Sequence, residues 1–250
     1  MEHFPKAYAE DLAFIHDAGF GGFARAAAQF VLQRLEAAGK HSGLVVELGC
    51  GSGITAEILT NAGYAVVGFD ISEAMIELAR ARVPAAQFQQ RSFVDLDLPR
   101  CDAVIAIGEV LNYRFDAKVS SVRLAKLFRN VNAALHPEGF FLFDGAEPGR
   151  VVGPGPTKGF TEGKDWVCLY VAEEDADHQN LTRTITTFRK IGESYRRDDE
   201  VHRLELFSRD AIQLELTRIG FAVEDIEGYI DLPFPAGYVG FLARKTDNSE

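Results

Sequence analysis

Cysteine is scarce in this chain. Cys50, Cys101 and Cys168 are the only three in 250 residues, an odd number with no CxxC spacing, which argues against a disulfide framework or a structural zinc site. Positive charge is short as well: 26 Lys and Arg stand against 37 Asp and Glu, a net charge of −11. Nucleic-acid binding rests on clustered Lys and Arg that release counterions, so no nucleic-acid partner is expected. Long apolar runs are missing too. None approaches the ~18 residues that a membrane span needs, and the opening MEHFPKAYAEDLAFIHD scatters charge where a signal peptide would carry an apolar core. These absences point to a reducing, soluble, cytoplasmic setting without a membrane partner. The 47% hydrophobic and 25% charged residues are ordinary for a globular chain and leave no room for disorder, collagen or coiled coil. The length suits one large domain with an inserted module.

What is present is a clear change of period along the chain. The first forty residues are helical, with Tyr8, Leu12 and Ile15, then Phe23, Ala27, Phe30, Val31 and Leu35, at helical spacing. Gly19, Gly21 and Gly22 mark a turn between the two runs, and Gly39 ends the second. From Leu44 to Asp144 short apolar runs alternate with helices. The runs are Leu44–Leu48, Ala65–Phe69, Ala86–Gln90, Ala103–Ala106 and Phe140–Phe143. The helices include Ser72–Arg82, with Ser72 as N-cap, and Ala117–Leu135. Continuous apolar strands between helices imply a parallel sheet covered on both faces, hence an α/β protein.

After Pro148 the stretch VVGPGPTKG reads as a loop, and the period then becomes two. Trp166–Ala172, LTRTITTFRK and VHRLELF predict three antiparallel strands, an inserted sheet of roughly fifty residues. The charged run RRDDE at 196–200 reads as a solvated turn or strand end. Helix returns at Ser208–Ile219, capped by Ser208 and closed by Gly220. Phe221–Ile226 and Tyr238–Ala243 finish as strands, and the short link GYIDLPFPAG forces that last pair to be antiparallel. Thr246–Glu250 reads as a loose tail.

The most informative segment is VVELGCGSGITAEIL, a strand, a glycine-rich turn and a helix. The glycines allow close backbone approach, and the helix start offers free N–H groups. Asp70 closes the next strand, where a carboxylate can accept from both hydroxyls of a ribose. The pattern predicts an adenosine-type ligand. The dinucleotide spacing G-x-G-x-x-G is not met, since Ile54 stands where the third glycine belongs. Glu47 ends the first strand, where an anion repels pyrophosphate and favours an ammonium or a sulfonium. S-adenosylmethionine carries both. An NAD-dependent oxidoreductase and a non-catalytic S-adenosylmethionine-binding protein remain as alternatives.

ELGCGSG (47–53), VVGFDISEAMIELAR (66–80), CDAVIAIGEVLNY (101–113) and LHPEGFFLFD (135–144) together resemble the class I S-adenosylmethionine-dependent methyltransferases of the small-molecule type. The resemblance covers about residues 44–145 and 208–244. It implies a Rossmann-like sheet of seven strands, mostly parallel with the last antiparallel, and helices on both faces. The expected organisation is a helical lid over 1–40 and a donor-binding domain over 41–150 and 208–246, with an antiparallel insertion over 151–207 covering the acceptor. The resemblance also implies that Gly49, Cys50 and Gly51 line the methionine and ribose portions, while Glu47 senses the amino group. Asp70 would hold the ribose, Ile71 and Met75 the adenine, and Ser92 and Phe93 the adenine amine. Ile107 and Gly108 would reach the methionine end, and Tyr8 would close over the site. S-adenosyl-L-homocysteine would be the product.

Methyl transfer from a sulfonium is an in-line displacement in which alignment alone supplies ~7–11 kcal/mol. The acceptor is expected to be a small molecule methylated on nitrogen or oxygen; the oligomeric state is left open. Glu109 and Tyr113 follow a strand's carboxyl end, the customary ligand edge of such sheets. Glu109 can bind a cationic acceptor or act as base, and Tyr113 can stack on substrate. His202, on the apolar face of its strand, is the candidate general base by its titration range. His16, Tyr229, Asp231 and Tyr238 are further candidates for the pocket, and Trp166 reads as core. No metal-ligand cluster is visible.

Overall fold

The computed structural model describes residues 6–94, 96–116, 118 and 121–246, with only the backbone of Ser121 and Arg123. The start of the helix expected from Ala117 and all of the tail beyond Thr246 lie outside the described residues. The chain begins with α1 (Glu10–Gly19) and α2 (Gly21–Ala37), followed by β1 (Leu44–Leu48), α3 (Ile54–Asn61), β2 (Ala65–Asp70), α4 (Glu73–Arg82) and β3 (Gln87–Gln90). Then come β4 (Cys101–Ala106), a 3-10 turn at Val110–Asn112, α5 (Ser121–Ala134) and β5 (Leu135–Ala146).

The second half carries β6 (Thr157–Gly163), β7 (Trp166–Glu174), β8 (Asn180–Ile191) and β9 (Ser194–Glu205), then α6 (Arg209–Ile219) and β10 (Phe221–Ile226). A short hairpin of β11 (Gly228–Tyr229) and β12 (Leu232–Pro233) leads into β13 (Tyr238–Lys245).

Seven strands form the main sheet in the order β10-β13-β5-β4-β1-β2-β3. Only β13 runs against its neighbours, so the expected mostly parallel sheet with an antiparallel last strand is what the chain builds. Alternation along the central strands sends Val46, Leu48, Val104, Phe141 and Phe143 to one face, against Leu124, Leu127, Phe128 and Val131 of α5 and Leu216 of α6. Val45, Ala103, Ile105 and Leu142 go to the other, against Val31 and Leu35 of α2, Leu59 of α3 and Ile76 of α4. Each large apolar side chain buried this way contributes about 1.5–3 kcal/mol, which is why these strands read as unbroken hydrophobic runs.

The inserted sheet has four strands in the order β6-β7-β8-β9, one more than the alternation predicts. The missed strand lies partly within the stretch read as loop. Its side chains explain the omission, because a Cβ on Gly159 would sit 2.6 Å from the Tyr170 hydroxyl and one on Gly163 2.4 Å from the Trp166 indole nitrogen. The aromatic rings of β7 lie across β6, so β6 needs glycine where an ordinary strand shows a hydrophobe. The run Arg196–Glu200 lies near the start of β9 and is solvated as far as Asp199, whereas Glu200 is buried. From it the exposed Arg196 reaches α1 and pairs with the buried Asp11 at 2.5 Å.

Helix boundaries differ in small ways. Gly21 and Gly22 open α2 itself, leaving Phe20 as the only link to α1. Ser208 holds the N-cap position of α6 but its side chain makes no capping bond. Leu135 starts β5. The two N-terminal helices divide between the sheets: Leu12 and Ile15 of α1 pack on Trp166, Cys168 and Ile185 of the insertion, whereas α2 packs on the main sheet. Among the described residues no helix is long and apolar enough to cross a membrane.

Candidate functional site

A cavity opens at the carboxyl ends of β1, β2 and β4, roofed by α1 and the first turn of α2, and encloses about 1140 Å³ with its mouth. The β1–α3 turn forms its floor. Gly49 and Gly51 adopt φ of +67° and +52°, a region open to glycine at no steric cost. At Gly49 a Cβ would also strike Val110, 2.5 Å away, whereas at Gly51 it would meet nothing within 4 Å, because that face is the cavity. Here the backbone itself is offered to a ligand.

Two acids flank this turn. Asp70 ends β2 and accepts the Gly51 and Ser72 N–H groups, both at 2.9 Å, on different oxygens. Burial raises its pKa, and those N–H bonds hold the rise in check. Glu47 is only 3% exposed, yet its Oε2 has no hydrogen-bond partner. Burial, opposed in part by a hydrogen bond from Thr55, lifts its pKa to about 8. A buried oxygen without a donor is costly, and the residue that carries it lines the cavity. Cys50 between them is buried, and burial keeps its thiol well above the usual range, so it is inert.

All twelve residues expected around the donor (Tyr8, Glu47, Gly49, Cys50, Gly51, Asp70, Ile71, Met75, Ser92, Phe93, Ile107 and Gly108) lie on the cavity wall, as does Tyr113. Glu109 and His202 do not. Glu109 follows Gly108 in a left-handed conformation, φ +61°, which turns its carboxylate away toward Arg150 and Arg183, each bonded at 3.0 Å. Burial would raise its pKa, but the guanidinium of Arg183, then that of Arg150, holds it below the ordinary value. Its carboxylate is committed. His202 is fully buried on β9, its Nε2 2.9 Å from Glu200 and its ring enclosed by Tyr8, Tyr113 and Phe115 at centroid distances of 4.9, 5.7 and 4.8 Å.

Three residues matter here that sequence reasoning passed over. Glu200 accepts the N–H groups of both Tyr8 and Ala9 at 2.8 Å, capping the start of α1. Tyr8 is thereby held at φ +47°, with its carbonyl accepting from Ser72 Oγ at 2.7 Å and its hydroxyl 3.0 Å from that of Tyr113. Arg183 on β8 reaches the Tyr113 hydroxyl at 3.3 Å. Asp144, at the end of the apolar run FFLFD, is fully buried and accepts from the Gly108 and Glu109 N–H groups and from the hydroxyls of Tyr229 and Tyr238, all within 3.0 Å. Its place at the end of an apolar run, like that of Asp70, was the available signal. Burial lifts its pKa to about 6. His16 lines the cavity, whereas Tyr229 and Tyr238 stand behind it with Asp144.

Comparison with known proteins agrees with this geometry. Residues 45–139 match a family model described as a methyltransferase domain. The putative methyltransferase YqeM of Bacillus subtilis is 27% identical over 199 residues, 77% of this chain and 78% of that protein. Among solved structures, an S-adenosylmethionine-dependent methyltransferase from Clostridium acetobutylicum superposes with a TM-score of 0.78 at 17% identity, covering 93% of this chain and 97% of the other. An amino pentose methyltransferase from Micromonospora echinaspora, solved with S-adenosylmethionine bound, gives 0.75 at 20% identity, covering 98% and 100%.

Proposed function

We propose that this chain, a class I S-adenosylmethionine-dependent methyltransferase, transfers the methyl group to a nitrogen or oxygen of a small molecule by in-line displacement. The observation that carries the reading is the pairing on one cavity wall of Asp70, its carboxylate fixed by backbone N–H groups, with Glu47, a buried acid with one oxygen that lacks a donor. The first suits a ribose diol and the second an ammonium. The open face of Gly51 leaves room for the chain between them.

Bound there, S-adenosylmethionine supplies a methyl group already activated on sulfur. The protein contributes placement. Asp70 would hold the ribose, with Ile71, Met75, Ser92 and Phe93 around the base, and Glu47 the amino group. Gly108 N–H is fixed by Asp144 and keeps the loop after β4 against the methionine end. Tyr8, clasped by Glu200, would close the cavity from the α1 side. In this reading residues 41–150 and 208–246 carry the donor. Residues 1–40 and the insertion at 151–207 cover the acceptor; the packing of α1 on the inserted sheet supports treating those two as one cover. The amino pentose substrate of one structural neighbour makes a small polar acceptor a natural first choice.

Calorimetry with S-adenosylmethionine and with NAD tests the donor site, and the expected result is binding of the first alone. Incubation with methyl-labelled donor and a small-metabolite extract then tests transfer. Donor binding without any labelled product would reduce the protein to a donor-binding module.

A further inference from the structure

Beyond the donor site, the cavity continues between α1, the start of α2 and the loop after β4. Its wall there is aromatic: Tyr8, Phe20, Phe23, Tyr113 and Phe115, with His16 among them. The His16 ring stacks on Phe20 at 5.7 Å and meets the edge of Tyr8 at 5.2 Å. Its ring nitrogens have no hydrogen-bond partner among the described residues. Asp116, next to Phe115, adds a carboxylate to the same wall.

We infer that the methyl acceptor is an amine, bound through its nitrogen in this aromatic compartment, and that His16 accepts the hydrogen bond of its N–H. The inference rests on the methyl-transfer reading above and sharpens it. An alkyl hydroxyl becomes a competent nucleophile only if a base takes its proton during the reaction. The side chains that the sequence offered for that role are unavailable. Glu109 is tied to Arg150 and Arg183, and His202 is paired with Glu200 and shut in behind three rings. Burial raises the phenols of Tyr8 and Tyr113, so neither ionises near neutrality. Burial also pushes His16 down to about 4. An imidazole that reluctant to protonate stays neutral; it accepts an N–H without removing the proton.

A neutral amine needs nothing more. Its lone pair forms the new N–C bond as the S–C bond breaks, and the electrons of that bond stay on sulfur. The nitrogen is left positively charged, and its extra proton passes to water once the product is free. The aromatic faces favour the charge that appears; an amine that is protonated in solution gives that proton to water before it binds, because only the neutral form carries the lone pair.

Two measurements on the intact protein test this. A metabolite extract is divided, and one half is treated with acetic anhydride so that amines are acylated and hydroxyls spared. Labelled product is expected from the untreated half and at least tenfold less from the acylated one. Label retained after acylation, or found on oxygen, overturns the inference. Independently, protein with isotopically labelled histidines, saturated with S-adenosylhomocysteine, is titrated with benzylamine and with benzyl alcohol at a pH where part of the amine is unprotonated. The His16 ring signals, assigned with His16→Phe, should move with the amine and not with the alcohol. No response to the amine refutes the inference whatever the transfer assay gives. A His16 response without transfer in either half would instead fail the methyl-transfer reading. His16→Phe keeps the stacking and should lower transfer at least tenfold, with affinity for S-adenosylhomocysteine changed less than twofold.

Discussion

On the proposed reading, Glu47 makes donor binding a proton-linked event. With a pKa of about 8 in the free protein, the carboxyl is ionised in only about one molecule in eleven at pH 7. A ligand whose ammonium binds the ionised form selects that fraction, which weakens its apparent affinity about elevenfold, or ~1.4 kcal/mol. Between pH 6 and pH 7 the ionised fraction rises about ninefold, and affinity should rise with it. Each binding event at pH 7 should also release about 0.9 proton. Titration calorimetry in buffers of different ionisation enthalpy measures both quantities. Glu47→Gln should abolish the release and flatten the pH dependence over that interval, while any titration of the ligand's own amine persists in the variant. Wild-type binding with no proton release, or identical profiles for the two proteins, would show that Glu47 does not meet the ligand's cation.

The same carboxyl affects stability. Its folded pKa lies above the ordinary 4.5, so its stabilising protonated form is lost as pH rises. At pH 7 the burden relative to a neutral side chain is about 3 kcal/mol, and Glu47→Gln should raise the melting temperature of the ligand-free protein above neutrality. Asp70→Ala should weaken donor binding by at least ~1.5 kcal/mol, the scale of a charge-assisted hydrogen bond; unchanged affinity by calorimetry would remove Asp70 from the site. Glu200→Gln loosens the clasp on Tyr8 and Ala9, and S-adenosylhomocysteine should leave about tenfold faster, equivalent to ~1.4 kcal/mol. The emission of Trp166, the only tryptophan and a neighbour of Phe20, can follow that release. Arg183→Met leaves Glu109 buried with half its partners and should cost about 3 kcal/mol in urea denaturation, while adding Glu109→Gln should recover most of it.

The proposed donor half of the site was readable as a cavity wall because its parts are close in sequence. Gly49, Gly51 and Asp70 fall within one βαβ unit, whose spacing the chain cannot vary without losing the turn. The proposed acceptor half depends on partners that no local pattern joins. Glu109 meets Arg183 across 74 residues and Tyr8 meets Glu200 across 192, so an apparently free carboxylate proved paired and the last residue of a solvated run, Glu200, proved buried. Strand β6 escaped for a different reason. Its hydrophobic complement comes from the rings of Trp166 and Tyr170 lying over its glycines, which leaves no alternation of its own.

Asp144 gathers ligands from segments far apart in the chain: the backbone after β4, Tyr229 in the terminal hairpin and Tyr238 at the start of β13. One buried carboxylate thus ties together loops that an engineer would treat as separate modules. Swapping the Gly108–Tyr113 loop for that of another enzyme, to redirect selectivity, would deprive the buried Asp144 carboxylate of two donors unless the transplant offered the same backbone N–H groups. Compatible chimaeras should therefore exchange that loop and the 229–238 segment as a pair.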